Sequence, residues 1–222
     1  MTDLRQSGTA SSVGTGATLL LARHAQTVWH AENRYAGRDS DIDLTDTGRR
    51  QVDQLAAWAR VRGPDAVVCS PVRRAVETAR PCAEAAGRAL RIVDDLREVD
   101  FGIAEGRTLA ELHSEDPDMV RRFRSDPAQH AFPGAELPEV AATRCAAALR
   151  ELADSQPGSA VLVIAHNTVL RLAMCALLDL PVGRYRQVFP RLDNGAVTEL
   201  AIPGDRSSPA SLLSLNVPVP SL

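Results

Sequence analysis

The sequence predicts an α/β protein: a doubly wound, mainly parallel sheet flanked by helices on both faces, with a small helical insertion. Three observations predict it. Apolar runs such as TLLLA (18–22) and AVLVIA (160–165) have the unbroken hydrophobicity of strands buried on both faces. Helix-like stretches alternate with these runs along the chain. Chemically distinctive side chains follow the runs directly, at the strand ends where such sheets bind ligands.

The elements are justified in order. After the strand at 18–22, Leu44–Arg60 places Val52, Leu55, Ala56 and Ala59 on one helical face, with Thr45 as N-cap. AVVCS (66–70) is a second strand. Ser70-Pro71 reads as N-cap plus N1 proline, opening a helix that runs to about Ala86. LRIVDDL (90–96) is a third, weaker strand. Residues 103–136 hold short helical pieces broken by Pro117, Pro127, Pro133 and Gly134. Leu137–Asp154 is an Ala-rich helix, AVLVIA is the clearest strand, and a helix spans 167–178. VTELAI (197–202) closes the sheet. Residues 17–202 are therefore expected to form one domain, between a disordered tail at 1–16 and a Ser- and Pro-rich tail at 203–222. The second tail carries Leu212, Leu213, Leu215, Val217 and Val219. Docking on the domain, docking on a neighbouring subunit in a homodimer, and hanging free all stay open for it.

Composition narrows the function. The chain has 222 residues, a net charge of -3 and no positive excess to drive nucleic-acid binding. Its apolar runs are too short to span a bilayer, and MTDLRQSGTASSVGTG lacks a signal-peptide core, so a cytoplasmic location is expected. Cys69, Cys82, Cys145 and Cys175 lie far apart and read as buried free thiols, with no disulfide framework or zinc site. All 25 basic residues are arginine. That removes a Walker-type lysine and a Schiff-base lysine, but arginine suits bidentate grip of phosphate or carboxylate. No metal and no cofactor are expected, since His, Asp and Glu show no ligand-like spacing.

Three strand ends carry the candidate chemistry. The first ends in Arg23-His24, the second leads through Ser70 to Arg73 and Arg74, and the clearest ends in His166-Asn167. The turn near 96–102 adds Arg97, Glu98 and Asp100. Taken singly, each reads as a structural histidine or a surface charge. Their joint placement predicts an anion site, without distinguishing phosphate from carboxylate.

At these residues the sequence resembles the histidine phosphatase superfamily, the phosphoglycerate-mutase-like enzymes. LLLARHAQT (19–27) resembles the family's Leu-x-Arg-His-Gly-x-Thr signature. CSPVRRAVETA (69–79), LREVDFGIAEG (96–106) and VIAHNTVLR (163–171) resemble its further blocks, in the family's order. ENRYAGRDSDIDLTDTG (32–48) is similar to the segment after the signature.

The resemblance implies a phosphoglycerate-mutase-like fold and a set of roles. His24 is the nucleophile that becomes a phosphohistidine. Arg23 and Arg74, not Arg73, grip phosphate oxygens. Glu98 is the general acid/base, with Asp100 and Glu105 as near competitors. His166 is the second phosphate-pocket histidine. Three positions depart from the pattern: Ala25 and Asn167 replace glycines, and His30 replaces a frequent asparagine ligand. His30 and Asn167 are retained as phosphate-binding candidates. Phe-Gly-x-x-Glu-Gly resembles the phosphatase branch, so the expected partner is a small phosphorylated substrate. A phosphoglycerate mutase and a catalytically weak phospho-ligand-binding module are the alternatives. Specificity is expected in 103–136, in the place of the family's variable cap, with Arg121, Arg124 and His113 as candidates.

Overall fold

The structure, a computed structural model, describes residues 16–220. Almost all of the expected tail at 1–16 lies outside these residues. The elements run β1 (Ala17–Arg23), α1 (Val28–Ala31), α2 (Asp46–Arg62), β2 (Ala66–Cys69), α3 (Arg73–Ala85) and β3 (Leu90–Ile92). They continue through α4 (Leu109–Glu115), α5 (Pro117–Ser125), α6 (Pro138–Ser155), β4 (Ala160–Ala165), α7 (Asn167–Leu177), α8 (Tyr185–Val188), β5 (Val197–Ile202) and β6 (Ser211–Val217). Among the described residues no helix is long and apolar enough to cross a membrane.

The sheet has the order β3-β2-β4-β1-β5-β6. The first four strands are mutually parallel; β5 and β6 are antiparallel to their neighbours. The unbroken apolar runs have the predicted cause. Successive side chains of a strand point to opposite faces. Leu19 and Leu21 of β1 join Val161 and Val163 of β4 in the core under α6 and α7. Leu20, Ala22, Leu162 and Ile164 join the opposite core under α2 and α3. Both faces are buried, so both phases of the alternation must be apolar.

Two expectations about elements need correction. The sheet does not close at Ile202. Residues 211–217, read as part of a tail, pair with β5 as β6, with Leu200 opposite Leu212. The main chain of β5 offers a ladder of donors and acceptors, and SLLSLNV satisfies it although its composition reads as linker. The helix after β2 does not begin at Ser70-Pro71. It begins at Arg73 with Val72 at the N-cap and no side-chain cap; the Ser70 hydroxyl accepts from Val72 N at 3.2 Å, one turn-like step before the helix, and also bonds His166 Nε2. By contrast, Thr45 caps α2 as predicted, accepting from Gly48 N at 3.0 Å.

Candidate active site

Register alone gathers the strand ends. Arg23 is paired with Ala165 and Cys69 with Ile164, so the residues that follow, His24, His166 and Ser70, sit side by side at the carboxyl edge. His24 N donates to Ala165 O and Ser70 N to Ile164 O, continuing the ladders one step beyond the strands. The ring centroids of His24 and His166 are 5.1 Å apart, and those of His24 and His30 are 4.9 Å apart.

His24 stands at the rim of the sheet in sequence but not at the surface of the molecule, since only 1% of it is exposed. Its tautomer is fixed by its neighbours. Nδ1 donates to Ala25 O at 2.7 Å, because a carbonyl can only accept. Nε2 accepts from Arg74 Nε at 3.2 Å, because a guanidinium can only donate. The lone pair is therefore on Nε2. Burial pushes the imidazole well below its ordinary pKa, and the neighbouring His30, Arg74, His166 and Arg23 push it further. The ring is neutral, as a nucleophile must be.

Arg74 is wholly buried and immobilised. Nη1 donates to Ser40 O at 3.1 Å and Nη2 to Ala36 O and Gly37 O at 3.0 and 2.9 Å. The loop supplying these carbonyls is itself held by Glu105, which accepts from Gly37 N and Ser40 Oγ. A Cβ at position 37 would lie 1.6 Å from Glu105 Oε1, so only glycine allows this approach. Arg73 faces away and is shared by Asp41, Asp43 and Glu77. The assignment of the phosphate contact to Arg74 over its neighbour agrees with this placement.

Arg23 donates through Nη1 to Leu192 O at 2.9 Å. Burial lowers both Arg23 and Arg74 to about 10, which leaves them charged at neutral pH. Arg23 Nε is buried without a protein partner, and so is His166 Nδ1. Buried polar atoms are nearly always paired, so a ligand with several acceptor atoms is what this constellation can satisfy. His166 Nε2 shares a 2.7 Å hydrogen bond with Ser70 Oγ, which fixes the ring. Burial and the neighbouring Arg74 hold its pKa well below the ordinary value.

Glu98 is separated from its competitors by what each touches. Its Oε1 accepts from Val99 N and Val169 N, and its Oε2 from Thr168 N at 3.0 Å. The positive end of α7 thus holds the carboxylate at the cavity wall. Glu105 is committed to the loop at 37–40, and Asp100 to Gly102 N and Arg38. Arg144 of α6 fixes the main chain under Glu98. All five of its N–H donors are used: two on Glu136 (2.7 and 2.8 Å) and the rest on the carbonyls of Asp95, Arg97 and Glu98 (2.8, 2.9 and 3.3 Å).

These groups open into a cavity of about 310 Å³, with Arg23, His30, Tyr35, Glu98, Asn167, Arg171, Arg186 and Asn194 on its wall. His30 and Asn167, the further phosphate-binding candidates, are both on this wall. Burial and the Arg23 charge lower His30 to about 2, so it too is neutral, with Nδ1 bonded to Thr27 Oγ1 at 2.6 Å. The substituted glycines cost no strain. Neither Ala25 nor Asn167 has a positive φ; Asn167 opens α7 and accepts from Leu192 N.

The candidates in the 103–136 segment require correction. Arg121, Arg124 and His113 are exposed and do not line the cavity. Helix α5 buries Val120 and Phe123, which turns 121, 122 and 124 outward, and Arg121 pairs with Asp118. None of residues 103–136 lines the cavity; Phe123 and Phe132 of the segment pack behind Tyr35, which does. Tyr35 lies 5.0 Å from Phe101 and 5.4 Å from Phe132, which stacks on Phe123. Sequence reasoning missed Arg171, Arg186 and Asn194. Arg171 had a signal, since it lies four residues after Asn167 on one face of a helix. Arg186 sits in the four-residue helix α8 and Asn194 on irregular chain, and neither had one.

An α/β sheet carrying two buried histidines, two buried arginines and a helix-held carboxylate at its carboxyl edge defines a phosphate-handling class of protein. Comparison with known sequences makes the class specific: the histidine phosphatase superfamily (branch 1) matches residues 19–214, and the chain belongs to that family. The bifunctional protein Rv2228c of Mycobacterium tuberculosis is 36% identical over 177 residues, covering 79% of this chain and 48% of that protein. The chain thus spans about half the length of the first curated relatives it matches. The probable phosphoglycerate mutase GpmB of Cronobacter sakazakii is 32% identical over 180 residues, covering 81% of this chain and 82% of the relative. Among solved structures, a mycobacterial glucosyl-3-phosphoglycerate phosphatase complexed with VO3 superposes with a TM-score of 0.81 at 29% identity, covering 90% of this chain and 98% of that one.

Proposed function

We propose that the protein is a metal-independent phosphomonoesterase that hydrolyses a small phosphorylated metabolite through a phosphohistidine on His24. The single observation carrying this reading is the neutral, Nδ1-protonated His24, whose Nε2 lone pair faces a fixed guanidinium. Phosphoryl transfer is chiefly positioning and neutralisation of the equatorial oxygens, and buried arginines supply both. In the first step Nε2 bonds to phosphorus and the phosphorus–oxygen bond of the ester breaks. Protonated Glu98 gives its proton to the departing oxygen, which leaves as an alcohol. In the second step water attacks phosphorus and Glu98 takes its proton. The phosphorus–nitrogen bond breaks, releasing inorganic phosphate and neutral His24. Arg74 stays fixed: as Nε2 gives up its hydrogen bond to bond phosphorus, a phosphate oxygen accepts from the Arg74 Nε–H in its place. A cytoplasmic location belongs to the same reading and is supported by four cysteines that are all buried free thiols.

A mutase is the second reading, favoured by the name of the GpmB relatives. One assay separates the two. With 3-phosphoglycerate, a phosphatase releases inorganic phosphate, whereas a mutase leaves total ester phosphate constant and moves it to the neighbouring hydroxyl. Phosphate release from p-nitrophenyl phosphate, undiminished by EDTA, is the result expected here. Loss of activity in EDTA, restored by magnesium or zinc, contradicts it.

A further inference from the structure

The residues that would grip the phosphate do not account for all the charge on the cavity wall. Arg34 lines it too, but is neutralised by Glu32 and Glu111. Arg171 and Arg186 are not. Among the described residues, neither forms an ion pair with a carboxylate, although Arg171 is only 5% exposed. Arg171 spends Nε on Asn167 O and Nη1 on Phe189 O and Pro190 O, and it lies 4.9 Å over the Tyr185 ring. Among the described residues its Nη2 has no acceptor. Arg186 is held 5.3 Å from the centroid of Phe123, with burial lowering its pKa but Tyr185 and Tyr35 beside it raising it by more, so its guanidinium is oriented by aromatic residues and has no carboxylate partner among the described residues. Burial lowers the pKa of Arg171, and repulsion from Arg186 adds to the shift. The wall thus sets Arg23, Arg171 and Arg186 against Glu98 alone.

One phosphate does not balance this. It is held beside His24 by Arg23 and Arg74. A substrate whose remainder is neutral leaves two guanidiniums without a counter-charge on one wall, Arg171 among them buried, which is costly. We propose that the natural substrate carries a second anionic group, a carboxylate or a second phosphate, and that Arg171 and Arg186 grip it. The proposal rests on the phosphatase reading for the position of the first phosphate. It also accounts for the two roles of Arg171. The side chain ties α7 to the loop at 189–190 and presents its remaining nitrogen to the cavity. Arg186 then closes the other side of a fork suited to planar or tetrahedral oxyanions.

The test uses three phosphate esters: glycerol phosphate, with no second anion; 3-phosphoglycerate, with a carboxylate; and propanediol bisphosphate, with a second phosphate. Wild type is expected to show kcat/KM at least about tenfold higher for one or both of the last two. Arg186→Gln, at an exposed position, should raise KM for the favoured compound about tenfold, leave kcat nearly unchanged and leave glycerol phosphate untouched. Arg186→Lys should fall between the two. Which compound is favoured distinguishes a carboxylate from a second phosphate. No preference in wild type, or an equal effect of Arg186→Gln on all three, overturns the proposal. Calorimetric binding of the same compounds to His24→Ala separates this from the phosphatase reading. Tighter binding of the two-anion compounds there, with no hydrolysis by wild type, keeps the subsite and removes the reaction. Hydrolysis without any preference, in turnover or in binding, does the reverse.

Discussion

At the scale of single residues, adjacent arginines have opposite fates. Arg74 is buried with a donor on His24, while Arg73 spreads over Asp41, Asp43 and Glu77 at the surface. Removing a fixed donor from a developing oxyanion costs about 2.7–4 kcal/mol in the transition state. Arg74→Ala should therefore lower kcat/KM by roughly two to three orders of magnitude, and Arg73→Ala should change it little. Steady-state rates on p-nitrophenyl phosphate check the contrast, and equal losses would mean the wrong arginine has been assigned. Arg23, His24 and His166 were legible in the sequence because they stand at the ends of apolar runs, whereas Arg74 and Glu98 were singled out from their neighbours only by the resemblance of their blocks to the family's. Arg186 was not. It belongs to the cavity only because the chain at 181–190 folds back over Phe123, and neither periodicity nor spacing encodes that approach. The arginines at 121 and 124 misled for a related reason. Charge clustered near a site in sequence says nothing about its direction until the buried face of the helix is known.

At the scale of elements, one helix serves another's chemistry. Helix α6 sends Arg144 under the turn that carries Glu98, with every guanidinium donor engaged. Arg144 is a positioning residue, acting through the main chain of 95–98. Arg144→Lys keeps the charge but cannot reproduce five donors in one plane. It should slow turnover of an alkyl phosphate, whose leaving oxygen needs a proton, far more than turnover of p-nitrophenyl phosphate, which barely needs one. Parallel rate measurements on the two esters check this; equal slowing would mean Arg144 contributes stability only. Strands β1 and β4 were legible because burial on both faces leaves no room for polar residues. Strand β6 was hidden because half-exposed edge strands carry no such constraint. Six of its seven residues are serine, asparagine or exposed leucine, and only the free edge of β5 makes it a strand.

At the scale of the whole molecule, three buried histidines tie stability to pH. His24, His30 and His166 all have folded pKa values depressed below the ordinary 6.5 by burial and nearby positive charge. Below that value the unfolded chain takes up protons that the folded chain refuses, so unfolding is linked to proton uptake. Stability from these groups is present in full above about pH 6.5 and is lost progressively as pH falls below it, down to the folded pKa values, about 2 for His30. The melting temperature should fall across that window, and replacing His30 with Asn should flatten the fall. A melting temperature constant between about pH 5 and pH 7 would show that the histidines are charged in the folded protein.

The covalent intermediate is the central claim, and it can be observed directly. Wild type mixed with a labelled phosphate ester and quenched within a turnover should carry phosphate that is labile in acid and stable in base, with the label mapping to His24 by mass spectrometry. His24→Ala should carry none and should turn over no substrate. Label on another residue, or unimpaired turnover by His24→Ala, would contradict the account.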